Sequence, residues 1–347
     1  MPFLAAFTPI QGPVVARKVA KEARVQRDTS LDEAARIHAV DILRDRNRAR
    51  LERVKAALRG EGVADAQFWP IAVVGMRPRA LIQRLIKATR TQGQVRGGTH
   101  VGIGVARHDG QWAVVALFVR RLVRMSPLPR DASAQGLRIA GRTDIGRRLE
   151  ALWMGPCHDT ECRGGVENLR IQRGRPGWTL SIPPMRGKGT WTLELMVDTD
   201  RGPEPAILWT FGPLQSPKPP PFGPPHVWVA DVRDNAALAP LLIDRRLTIA
   251  AERHAARVCK QRMAAHILPG GVDPSHRAQD AGYRGYVTEN VAVAPTAAAA
   301  HRDILLSPSH RRNVLDPTAV HYGFAVATAS AKQGQRPISC WVELFGR

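Results

Sequence analysis

Asp244-Arg-Arg-Leu247-Thr-Ile-Ala250-Ala251-Glu-Arg-His254-Ala255 opens the last third of the chain, and Asp28-Thr-Ser-Leu31-Asp-Glu-Ala34-Ala35-Arg-Ile-His38-Ala39 repeats it near the start. At a constant offset of 216 residues (28 to 244), six positions are identical. In both copies the shared Leu, Ala, Ala, His and Ala fall at i, i+3, i+4, i+7 and i+8, one stripe of a 3.6-period helix. The shared Asp stands three residues before the Leu, where an N-cap satisfies orphan amides. Two unrelated helices would not be expected to share cap, stripe and a polar His in one register. The reading is a duplicated domain.

Outward from the first copy, a polar, basic lead-in covers residues 1–23 and runs on through Arg27, and a first unit covers 24–122. Its first helix is expected from about Leu31 to Val54 or beyond, and a second at Arg79–Thr89, where Leu81, Ile82 and Leu85 recur at helical spacing. Thr99–Arg107 and Trp112–Val119 read as strands, with Asp109-Gly110 between them as a hairpin signal. Trp112–Val119 is apolar without alternation, so both of its faces should be covered by helices.

Residues 134–213 change character. Short strand-like runs (Leu137–Ala140, Leu149–Met154, Leu169–Gln172, Trp178–Ile182, Thr190–Val197, Ala206–Phe211) alternate with Gly, Pro and charged residues, which favours a small antiparallel β-sandwich. Gln215–Pro225 is proline-rich and reads as a semi-rigid linker, placed at 214–234. The second unit, 235–347, repeats the order of the first: a helix from Leu247 to about Ala265, a helix near Thr296–Leu306, a short helix from Ser307, then strands Val320–Thr328 and Ile338–Phe345.

Chemistry concentrates between the first helix and the strands of that second unit. His266 precedes a Pro-Gly-Gly turn, and Thr288-Glu289-Asn290 precedes an apolar segment. Ser307-Pro308-Ser309-His310 opens a helix with Ser307 as N-cap and Pro308 at the first helical position. The helix dipole there disfavours a second proton on His310, leaving the neutral imidazole that ligates metals or accepts protons.

These motifs, in this order, resemble the CAP superfamily (cysteine-rich secretory proteins, antigen 5 and pathogenesis-related 1 proteins; the SCP domain), in its shorter bacterial form. The matching residues are Asp244–Ala255, His266, Arg277-Ala-Gln-Asp-Ala-Gly-Tyr283, Glu289-Asn290 and Ser307–Leu315. The resemblance implies an α–β–α sandwich with a cleft lined by His266, Glu289 and His310, occupied in some members by a divalent metal such as zinc. Two departures stand out. Ser307 lies near the place of the fourth cleft carboxylate of eukaryotic members, and Ile304 takes the place of a Trp common in bacterial ones. Three ligands plus a water would suit a catalytic-type zinc site, with His266 and His310 as its imidazoles. The bland alternative is a polar network that fixes loops. His254, on the helical stripe, is expected to be structural.

The first copy keeps the scaffold without the site. At the helical offset, Arg50 stands where the second copy has His266. Counting from the strand pair His100-Val-Gly-Ile and His321-Tyr-Gly-Phe, Thr89 replaces His310 and Glu289 falls near Phe68–Trp69. Cys259 and Cys340 correspond to Leu43 and Ala113, so both cysteines are present in one copy and absent from the other, the pattern a bond between first helix and last strand would leave. Cys157 and Cys162 stand in the middle region as Cys-His-x-x-x-Cys; a local disulfide is favoured over a metal half-site because no second pair completes four ligands.

A net charge of +21 points to anionic surfaces, an envelope or lipid headgroups, while Arg is spread without a dense tract or nucleic-acid signature. No apolar run reaches transmembrane length, and residues 1–10 make a poor signal peptide, which leaves the cytoplasm open. The even cysteine count favours an oxidising compartment. The expectation is an exported protein: two α–β–α CAP-type units, the first degenerate, flanking a β-sandwich. It would act at the envelope or outside the cell as a binding module; the resemblance implies a lipid or sterol ligand or an unspecified envelope role, and the charge suggests an anionic surface. The rivals are a metal-dependent hydrolase using His266, Glu289 and His310, and a charge-anchored structural protein.

Overall fold

The computed structural model describes residues 11–44, 51–95, 97–131, 133–143, 148–174, 177–213, 225–330 and 337–347. The chain divides into two compact units, Met1–Arg130 with Gly141–Asp144, and Asp131–Ala140 with Ile145–Arg347.

The first unit begins with α1 (Gly12–Ala23), β1 (Gln26–Arg27), a single 3-10 turn (Thr29–Leu31) and α2 (Asp32–Arg44). It continues through α3 (Leu51–Gly60), β2 (Phe68–Gly75), α4 (Pro78–Val95), β3 (His100–His108), β4 (Gln111–Val119) and β5 (Arg124–Met125). Its sheet runs β1-β3-β4-β2. The uniformly apolar β4 is explained as expected. Val114, Ala116 and Phe118 pack into the cluster formed with α1 and α4, while Ala113, Val115, Leu117 and Val119 pack against α2 and α3. Asp109 and Gly110 both take positive φ in the β3–β4 turn, the backbone that an Asp-Gly pair tolerates best.

Three expectations change here. The basic lead-in is helical from Gly12, because Val15, Ala16, Val19, Ala20 and Ala23 form a buried stripe between its charges. The strand β2 was not foreseen, although Trp69, Ile71 and Val73 alternate inward along it. Helix α2 ends at Arg44 and α3 begins at Leu51; the residues between lie outside those described, as does Arg50.

The second unit takes β6 (Leu137–Arg142) in part, then β7 (Leu149–His158), β8 (Glu161–Cys162), β9 (Val166–Leu169), β10 (Ile171–Arg173), β11 (Trp178–Ile182), β12 (Thr190–Thr199) and β13 (Gly202–Phe211). Antiparallel pairing orders these as β13-β12-β7-β8 with β9 beside β7, and as a β10–β11 pair. The short strands expected in the middle region form, except that Leu169–Gln172 is split at Arg170 between the end of β9 and the start of β10, which lie in different sheets. Residues 215–224 of the proline-rich stretch lie outside the described residues, but Pro225–Asp234, expected to be linker, is the helix α5. Its Trp228 and Val229 are buried against Trp341 and Ile304.

After α5 come β14 (Leu242–Ile243), α6 (Arg245–Gln261), α7 (Pro274–Asp280), β15 (Val287–Ala294), α8 (Ala297–Leu306), α9 (Pro308–Val314), β16 (His321–Ala329) and β17 (Ile338–Gly346). The sheet β14-β16-β17-β15 lies between two helical layers. Cys340, Val342 and Leu344 face α6, while Trp341 and Phe345 face α5 and α8. Asp244 caps α6 through the amides of Arg246 and Leu247. The Arg246 guanidinium and these amides hold its carboxyl down at about 2.

The two sheets share register as well as order. Gln26 pairs with His100 where Leu242 pairs with His321, and Gly102 with Leu117 where Gly323 pairs with Leu344. Gly102 and Gly323 also meet the same helical residue. A Cβ on Gly102 would fall 2.4 Å from Leu31 Cβ, and one on Gly323 2.5 Å from Leu247 Cβ. Each strand thus approaches its helix closely only because a glycine stands there.

Both foreseen disulfides form. Cys157–Cys162 closes the β7–β8 turn, and Cys259–Cys340 ties α6 to β17 across a separation of 81 residues.

Candidate functional site: a buried His, Glu and Arg cluster at the sheet edge

β15 is an edge strand, so residues from both helical layers can meet beside it. Glu289 points from β15 into the α6 layer and is fully buried. His266, on the loop after α6, places Nδ1 2.9 Å from Glu289 Oε1. Arg277, on α7, donates Nη2 to Glu289 Oε2, and its Nη1 donates to the carbonyls of His266, at 2.8 Å, and Val272. Burial opposes ionisation of Glu289, but the bond from His266 and the Arg277 charge outweigh it and hold its carboxyl below the usual value. Asp273, through its bond to the His276 amide, caps the short α7 and so aims Arg277.

His254 contributes from behind. Its Nε2 lies 3.0 Å from the Ala265 carbonyl and 3.9 Å from Glu289 Oε1, and burial lowers its pKa. The expected scaffold histidine is therefore also the back wall of the cluster.

His310 enters from the opposite layer. Ser307 caps α9, its Oγ accepting from the His310 amide at 3.4 Å, as the Ser-Pro-Ser-His spacing predicts. Burial takes the His310 pKa down to about 3, with the His266 charge adding to the fall and Glu289 opposing it. Of the three expected residues, His266 and Glu289 are in direct contact, while His310, on α9, is joined to them only by the influence of their charges. The α9 turn is held by a second polar set. Asn290 Nδ2 donates to the His310 carbonyl at 3.1 Å and to Glu343 Oε2 at 2.9 Å, and Asn313 Nδ2 donates to Asn290 Oδ1 at 2.9 Å. Tyr322 completes the set with a 3.1 Å bond to Glu343 Oε1.

The donor set fits a metal poorly. Glu289 already gives one oxygen to His266 and the other to a buried guanidinium, so the carboxylate is the poor ligand of the set; the Nδ1 contact of His266 is one that ligating imidazoles also make. Among the described residues, no group of three His, Cys, Asp or Glu side chains is arranged to hold a metal ion.

Sequence reasoning missed Arg277, although it stands inside a quoted motif. It also missed Glu194, a β12 residue that accepts from Ser307 Oγ at 2.9 Å and from the Ser309 amide at 2.6 Å. No signal near Glu194 marks it; only the fold brings β12 to α9.

A three-layer α–β–α domain with a His–Glu contact on its edge strand defines the class. Residues 229–345 match the model of the Cysteine-rich secretory protein family, CAP, and this part of the chain is a CAP domain. Among solved structures, an outer surface protein from Borrelia burgdorferi is similar at 23% identity over 35% of this chain and 88% of that one, with a TM-score of 0.31. An extracellular protein containing a SCP domain from Bacillus anthracis str. Ames is similar at 14% identity over 65% of this chain and 88% of that one, with a TM-score of 0.30. At these scores neither likeness bears on the arrangement described above. No curated protein matches the chain. Among the described residues, no helix is long and apolar enough to cross a membrane.

Proposed function

We propose that the protein is an exported, non-enzymatic binding module of the cell envelope or extracellular space, with a ligand site lined by His266, Glu289 and His310. The observation that carries this reading is the double engagement of Glu289. A carboxylate held by an imidazole and a guanidinium is a fixed acceptor in a rigid wall, not a base free to take a proton in a reaction. The two disulfides suit an oxidising compartment. The charge of +21 suits an anionic envelope surface or lipid headgroups. The first unit is read as a degenerate CAP copy that kept the strand register and the Gly–Leu contact. In it Pro70 pairs with Leu117 where Glu289 pairs with Leu344, so a residue with neither charge nor N–H takes the acid's place.

The test is cosedimentation of the oxidised full chain with phosphatidylglycerol vesicles and with purified envelope fragments, at low and moderate salt, beside zinc analysis of the same preparation. Binding to either surface, weakened by His266→Ala and His310→Ala, supports the reading. Loss with salt alone, equal in wild type and variants, favours charge anchoring instead. Stoichiometric zinc that His310→Ala removes would overturn it in favour of a metal site.

A further inference from the structure

The CAP-domain helices α8 and α9 carry an unusual set of polar bonds to the middle β-region of the same unit. Glu194 is fully buried on β12 and accepts from Ser307 Oγ, at 2.9 and 3.2 Å, and from the Ser309 amide at 2.6 Å. These are the two residues flanking Pro308 at the start of the turn that carries His310. Around this centre, Arg302 donates to Asp159 at 2.8 Å, Arg311 to the Thr160 carbonyl at 2.8 Å, and Arg312 to Glu150 at 2.6 Å. On the other side of the cleft, the β12–β13 turn reaches His266. The Ile267 amide donates to the Arg201 carbonyl at 3.1 Å, and Gly202 lies beside His266, where a Cβ would make an ordinary contact with His266 Cβ at 3.4 Å.

A single hairpin, β12–β13, therefore touches both histidine-bearing segments. Its strand holds α9 and its turn lies against His266. The carboxylate that reaches Ser307 comes from the neighbouring β-region of the same unit. We propose that the cleft is a two-part site, in which the β12–β13 hairpin supplies the outer wall and Glu194 is the positioning residue that fixes the α9 turn presenting His310. This rests on the reading of the His266, Glu289 and His310 cleft as the functional site. A ligand entering that cleft meets the Thr199–Gly202 turn as well as the CAP residues, so the CAP domain by itself is not the binding unit.

Burying a carboxylate without a direct ion pair is costly unless its acceptors are filled, and here the Arg312 charge only partly offsets the burial. Glu194 meets that condition through a backbone N–H and a hydroxyl, and burial raises its carboxyl above the usual range. A residue kept at such cost in a strand interior must be compensated by what it holds in place.

The test uses the intact, oxidised full chain without ligand, so its outcome does not depend on whether a ligand exists. Amide exchange is followed at Ser309 and Ile267, and modification by diethyl pyrocarbonate at His266 and His310, with buried His301 as internal control. Glu194→Leu keeps volume and removes the acceptors. It should speed exchange at Ser309 and modification at His310 by about tenfold or more, the loss expected for bonds to a carboxylate, while Ile267, held by the Arg201 carbonyl, should stay near the wild-type rate. Glu194→Gln retains an acceptor and should remain within about threefold of wild type. Should the leucine variant fail to fold, Ser307→Ala removes the hydroxyl from the other side and should speed the same two sites. Wild-type rates at Ser309 and His310 in a folded Glu194→Leu chain, or in Ser307→Ala, would overturn the proposal. Release of both sites in chains whose surface binding is unaltered would leave this assignment standing and sink the ligand-site reading.

Discussion

Removing Arg277 should expose how the buried Glu289 is tolerated. In Arg277→Leu the Glu289 carboxylate, fully buried, keeps only the His266 contact, with His254 3.9 Å away. Breaking a buried pair by deleting one partner costs about 3–5 kcal/mol, because the remaining charge is uncompensated. The carbonyls of His266 and Val272 also lose the Nη1 donor, which sets that range as a floor. The pH dependence carries the sign. In the wild type the folded-state pKa of Glu289 lies below its ordinary 4.5, so its contribution is present above pH 4.5 and fades as pH falls through the folded value. Without Arg277, burial dominates and the folded pKa rises above 4.5; protonation then favours the fold, and the cost of the substitution shrinks on acidification. Urea unfolding of the full chain at pH 7.5 and pH 4, read locally through amide exchange along β15, measures both. Adding Glu289→Gln to Arg277→Leu should recover most of the loss at pH 7.5. A cost below about 1 kcal/mol that is flat in pH would refute the pairing.

Two further outcomes follow from named contacts. Alkylation without reductant should find no thiol. Opening Cys259–Cys340 should cost about 4.5 kcal/mol against about 2 for Cys157–Cys162, from loop lengths of 81 and 5 residues, as paired Ala variants in urea unfolding would show. Acid should weaken the CAP domain between pH 6.5 and about 3. Over that window the unfolded chain binds protons that the folded His310, at about 3, and His301, at about 4, refuse; His310→Asn should flatten the slope, and an unchanged slope would rule out the burial assigned to it.

The sequence made the second domain legible because its signals are local and redundant: an Asp cap, a helical stripe, a Ser-Pro-Ser-His helix start. Glu289 and His310 follow directly from such motifs. Arg277 was hidden because a basic residue on a short polar helix reads as solvated surface, whereas tertiary packing buries it on Glu289. β2 was missed because Phe68–Gly75 carries a Pro, and Pro is compatible only with an edge strand, which β2 is. Glu194 lies beyond local reasoning altogether. In β12 it sits between Leu193 and Leu195 like any outward polar residue, and what covers it lies 113 residues away.

The asymmetry between the two sheets also extends beyond the three cleft residues. In the shared strand register, Asn290, Tyr322 and Glu343 correspond to Ile71, Val101 and Ala116. All three polar partners of one sheet are apolar in the other, and Ile71, Val101 and Ala116 are buried in one core cluster. A half-satisfied network is worse than a complete one or none, so such residues should change as a set. The expectation is measurable in the CAP domain of the full chain. Glu343→Ala alone leaves the Tyr322 hydroxyl unpaired and takes one of the two acceptors from Asn290 Nδ2, and burial already raises the Glu343 carboxyl. Asn290→Ile alone takes the donor from Glu343 Oε2 and frees the His310 carbonyl. The triple change Asn290→Ile, Tyr322→Val, Glu343→Ala should therefore cost less than the three single changes summed, by about 1 kcal/mol or more. It should also release the α9 turn, seen as faster amide exchange at its C-terminal end, because Asn290 links the set to that turn through the His310 carbonyl and Asn313 Nδ2. Additivity within about 0.5 kcal/mol would mean that the three residues are independent, and that their joint absence from the first sheet owes nothing to the site.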